Sequence, residues 1–184
     1  MAGVDIVEIL ITPGRLCHTP TDLTTAWPHG GTGLGTVKEI AIRPVRNFET
    51  IKEEAFGQEV IDVINVGESW VLACIIRTLD DDALGKLFPT TYTGTSSARK
   101  GLAYPGSFRA GTLGSDSSFK LLFTPDDPDR HPWFYFPNVI AMVEESAEIK
   151  LENTDELTYP AVFYATRDSS ARVMVMGRKG DITL

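Results

Sequence analysis

The chain has 184 residues, of which 42% are hydrophobic, with 25 acidic against 17 basic side chains, a net charge of −8 and a pI near 4.9. That length suits one domain with a real core, and the acidic balance argues against general nucleic-acid binding, which needs clustered Lys and Arg. Two cysteines make no disulfide framework, and with neither a basic leader nor an apolar run of membrane-spanning length, neither secretion nor membrane insertion is expected.

In chain order, residues 4–11 are rich in Val and Ile and predict a first strand. A short helix is suggested over residues 22–27. The glycines of residues 30–35 read as a flexible entry to a strand over residues 36–43. Two further strands are expected at residues 60–66 and 69–78, joined as a hairpin by a turn at Gly67 and Glu68. The second of these is almost free of polar residues from Trp70 to Ile76, so it is expected to be central and covered on both faces. Cys74 lies within it and reads as a small buried apolar residue.

Asp80, Asp81 and Asp82 then offer an N-cap and favourable charge for a short helix whose Ala83, Leu84, Leu87 and Phe88 share one face. Pro89 ends it. Residues 90–118 change character, with five glycines among many Ser and Thr. A loop this long is either solvated or functional, and Tyr92, Leu102, Tyr104 and Phe108 favour a segment that orders on a neighbour. Strands follow at residues 119–124 and 133–143, separated by a polar turn, and Pro137 marks an edge or a bulge. Ala147, Ile149 and Leu151 alternate with Glu148, Lys150 and Glu152 in another strand. Residues 159–167, a turn at residues 168–171 and a strand at residues 172–176 complete a meander. The whole reads as one mainly β domain over residues 1–184, a β-sandwich or partly rolled barrel with one flanking helix.

The usual chemical motifs fail on spacing. The Gly30 to Gly35 run has Thr36 where a dinucleotide fingerprint needs its third glycine, and a strand follows instead of a helix. A second Gly-rich stretch has Arg99 where a phosphate loop needs glycine. Asp126, Asp127, Asp129 and His131 lack the central glycine and distal glutamate of a calcium loop, and read as a solvated turn with Pro125 and Pro128. The histidines and cysteines lack zinc spacing, and there is no nucleophile elbow. No cofactor, metal or catalytic group is expected.

The series of a strand containing Pro137 and Asn138, an acidic alternating strand, and the Pro160, Ala161, Val162, Phe163 strand ending at Arg167 and Asp168 resembles the C-terminal half of the tail tube proteins of long-tailed, siphovirus-type bacteriophages. The glycine entry and the Asp80 to Phe88 helix extend the resemblance over nearly the whole chain. It implies a structural virion protein, made in the host cytoplasm, whose subunits form stacked hexameric rings. The tube guides double-stranded DNA during ejection, and the partners implied are further copies, tape measure, tail tip and terminator proteins. On this reading residues 90–118 clamp the next ring through Tyr92, Arg99, Lys100, Tyr104, Phe108 and Arg109. Glu39, Asp62, Glu148 and Glu152, each beside apolar neighbours that point the other way, are the expected lumen acids. The alternatives are a neck or other injection-tube ring subunit, a carbohydrate-binding β-sandwich using Trp27, Trp133, Phe134 and Tyr135, and an enzyme with a dispersed site.

Overall fold

A computed structural model describes residues 13–53, 59–77, 81–87, 91–93, 101–103, 117–142 and 158–184. Its elements are β1 (Gly14–His18), β2 (Thr32–Glu53), β3 (Glu59–Ile76), α1 (Asp81–Leu87), β4 (Thr91–Thr93), β5 (Gly101–Ala103), β6 (Phe119–Pro125), β7 (Trp133–Met142), β8 (Tyr159–Ala165) and β9 (Val175–Gly177). The expected strands at residues 4–11 and 147–152 lie outside the described residues.

Six strands close on themselves in the order β1, β2, β3, β8, β7, β6, because β6 pairs with both β1 and β7. All pairs are antiparallel. The expected sandwich or partly rolled barrel is therefore a fully closed barrel. Two bulges help it close, since an extra residue bends and twists a strand. Leu16 pairs with Gly35 but Cys17 with Gly33, so β2 carries one extra residue there; Gly35 has φ +109°, a conformation that glycine adopts without strain. In the second, Phe119 pairs with Val139 but Leu121 with Phe136, so Pro137 and Asn138 together face Lys120. The missing Pro137 amide costs no ladder bond at such a site.

Alternation fills the barrel. Ile40 and Ile42 of β2, Leu72, Cys74 and Ile76 of β3, Leu121 and Phe123 of β6, and Ala161, Phe163 and Ala165 of β8 are buried in one cluster. Each large member stabilises the fold by roughly 1.5–3 kcal/mol relative to exposure. Helix α1 forms where the aspartate run predicts it and adds Ala83 and Leu87 to the same cluster. A smaller core covers the outside of β1, β6 and β7, where Cys17, Leu122, Trp133 and Tyr135 pack with Leu23 and Ile182.

Other expectations change as well. Residues 22–27 are turns: Asp22 accepts from the amide and the hydroxyl of Thr24, and Thr25 Oγ1 donates to the Asp22 carbonyl. Such local bonds compete with helix. The glycine entry is largely strand, because β2 starts at Thr32 and a Cβ on Gly33 would collide with the Trp27 ring. Residues 90–118 hold a small hairpin, β4 with β5, in which Tyr92 pairs with Leu102.

Candidate functional site

The Gly67 and Glu68 turn does not exist: β3 runs through both residues, and β2 stays paired with it from Val37↔Ile76 to Glu53↔Glu59. Only Trp70 to Ile76 of β3 also pair with β8. Beyond Trp70 the two strands continue as a two-stranded arm, about 30 Å long at the usual rise per residue. Among the described residues neither strand of the arm has a second neighbour.

Both faces of the arm carry exposed apolar side chains. Phe48 is 56% exposed, Val63 and Ile64 50% each, with Val45, Ile51 and Val60 also in water. Directly paired residues share a face. One face therefore carries Pro44 opposite Trp70, Phe48 opposite Asn65 and Thr50 opposite Val63, and the other carries Glu49 opposite Ile64 and Ile51 opposite Asp62. A ribbon of this kind is marginal alone in water and needs a third strand or a covering surface. Local devices hold its shape. Register shifts fall between Asn47 and Phe48 and between Ile51 and Lys52, and beside them Asn65 Oδ1 accepts from Gly67 N at 3.1 Å and Asp62 Oδ1 from Val63 N at 2.7 Å. Arg46 pairs with Glu68 across the strands at 3.5 Å.

Of the expected lumen acids, Glu39 lies on the barrel wall and Asp62 on the arm, both exposed. They do not come together. Glu39 edges a shallow apolar groove of about 450 Å³ with Ala41, Ala73, Ile75, Pro160 and Val162. Glu148 and Glu152 lie outside the described residues. So do Arg99, Lys100, Tyr104, Phe108 and Arg109 of the expected clamp, while Tyr92 has its place on β4.

The aromatic rings considered for sugar stacking are mostly interior. Trp133, Phe134 and Tyr135 are all under 5% exposed, and Trp27 lies half-buried beneath Arg15, whose guanidinium is 5.5 Å from its ring centroid. Asp126 to His131 form a turn, in which Asp127 Oδ1 accepts from the Arg130 amide at 3.3 Å. Among the described residues no cluster of three or more His, Cys, Asp or Glu could hold a metal ion, and no helix is long and apolar enough to cross a membrane. The arm is the feature that sequence reasoning missed. Its signal was the β-branched, alternating composition that runs unbroken through residues 59–66.

No protein-family model matches the chain, and no curated protein matches it.

Proposed function

We propose that the chain is a self-assembling structural subunit, and that the assembly is a phage tail tube of stacked hexameric rings through which double-stranded DNA passes. The observation that carries self-assembly is the arm: among the described residues it has two unpaired strand edges and six exposed large apolar side chains on one ribbon. Monomers rarely leave such surface uncovered. The arm continues the strands of its own barrel wall, and on this reading another copy covers it. A contact between unlike surfaces repeats, giving a ring if the rotation closes and a filament if it does not. The hexamer, the DNA conduit and the tail partners rest on the resemblance in sequence. Glu39 and Asp62 then remain candidates for the acidic lining, with Glu148 and Glu152.

Electron microscopy and sedimentation of purified protein test this reading. Rings or tubes are expected at high concentration, or on addition of tail-tip components. Phe48→Ser with Val63→Ser should leave the circular dichroism spectrum and melting temperature nearly unchanged, because both side chains are half exposed, yet stop assembly. A chain that stays monomeric under all these conditions contradicts the proposal.

A further inference from the structure

A notch lies where β1 ends and β6 begins. It has a volume of about 410 Å³, and Lys86 of α1 and Lys120 of β6 line it with His18, Ser118 and the bulge at Pro137 and Asn138. Among the described residues no carboxylate lines it. Neither lysine has a salt bridge among the described residues. In a chain with 25 acids and 17 bases this is a local reversal of charge. The bulge opens the site, since two residues of β7 face the single residue Lys120 and the ladder is interrupted there. Asn138 is held on the far side, its Nδ2 donating to Thr166 Oγ1 at 2.7 Å.

The other end of β6 has the opposite character. After Pro125 comes the turn with Asp126, Asp127 and Asp129. Arg130 is spent on Asp127, its Nε 3.6 Å from Asp127 Oδ2. Lys179 has its ammonium 5.9 Å from the centroid of the Trp133 ring at the start of β7. Asp126 and Asp129 are exposed and without a salt bridge among the described residues. The seven residues of β6 set the notch and the turn about 20 Å apart, and β6 is fixed between β1 and β7.

We propose that the notch receives the acidic turn of a second copy of this chain, with Asp126 and Asp129 of one copy meeting Lys86 and Lys120 of the next. The two surfaces cannot meet within one copy because a paired strand holds them apart. Each copy offers one of each, so the contact repeats end to end. It rests on the self-assembly reading and specifies the stacking contact within it. His18 reports on occupancy: burial, then the charge of Lys86, holds its pKa down at about 4, and a carboxylate docked beside Lys86 would raise it.

The experiment uses two charge-reversed proteins, Lys86→Glu with Lys120→Glu, and Asp126→Lys with Asp129→Lys. Each should raise the concentration needed for stacking by about tenfold or more, because like charges then face each other. Mixed after separate purification, the two should stack again in alternation, since the acidic turn of the first meets the intact lysines of the second and the lysine-bearing turn of the second meets the glutamates of the first. As a second measurement, a peptide of residues 124–132 added to an arm-substituted, unassembled chain should raise the His18 pKa seen by NMR. Inorganic phosphate acting where the peptide does not would overturn the proposal in favour of a small-anion site. Variants that stack like the wild type would overturn the notch contact while leaving self-assembly standing. A wild-type chain that never assembles would overturn both.

Discussion

His18 stacks on Phe119 with ring centroids 4.3 Å apart and planes tilted by 31°. The stack places an ionisable ring against an aromatic face, with Lys86 lining the same notch. Burial and the Lys86 charge lower the His18 pKa from 6.5 to about 4. Between those values the unfolded chain binds a proton that the folded one does not, so stability should fall as pH drops through this window. The imidazole is partly open to water, so we expect a loss of about 1–2 kcal/mol, below the full linkage value. Urea unfolding of wild type and His18→Gln at pH 7 and pH 4.5 measures it. The variant should lack this part of the slope.

Cys17 donates its Sγ–H to the Pro28 carbonyl at 2.8 Å, and burial raises its pKa from 9.0 to about 11. Burial pushes the Cys74 thiol up as well. Both thiols should therefore resist alkylation in the native protein at pH 8 and react fully in denaturant, because the thiolate is the nucleophile. The stability gained by keeping Cys17 protonated is fully present below about pH 9 and lost as pH rises towards 11. Mass spectrometry after iodoacetamide pulses reads the first outcome, and urea midpoints across this range read the second.

Phe163 on β8 is fully buried in the barrel and meets Phe119 edge to face, with centroids 6.2 Å apart. Phe163→Ala should cost about 3–5 kcal/mol, from lost burial and the cavity left behind. For a domain of this size that is a large part of the total stability. Urea denaturation should show the midpoint falling with little change of slope.

Gly31 sits where the chain turns into β2. A Cβ there would collide with the His18 carbonyl and press on Thr19 O and Cys17 Sγ. The obstacle is mainly backbone and cannot swing aside, so Gly31→Ala should cost about 1–3 kcal/mol. Gly67→Ala is the control, since a Cβ at Gly67 meets nothing within 4 Å. Its melting temperature should stay within error of the wild type.

Much of the barrel was legible in the sequence. The strands at β6, β7 and β8, the helix at Asp81–Leu87 and the turn at residues 168–171 follow from local rules: alternation, an aspartate N-cap, and Asp168 accepting from the Ser170 and Arg172 amides. Pro137 reads as an edge or a bulge in the same way, because a residue without an amide proton cannot sit in an uninterrupted ladder, and the pairing of β6 with β7 makes it a bulge.

The arm and the closure were not legible, because each depends on partners distant in the chain. Gly67 and Glu68 suit a hairpin turn as well as an extended strand, and only the continuous pairing with Arg46 and Asn47 decides for the strand. The alternation of apolar residues is the same whether a strand borders a sandwich, an open roll or a barrel. Closure is decided by which edges meet, here β6 against both β1 and β7. The same limit applies to the charges: the sequence determines that Lys86, Lys120, Asp126 and Asp129 are present. Only the tertiary structure sets the two lysines in one notch and the two carboxylates at the other end of a paired strand, since β6 fixes the distance between them.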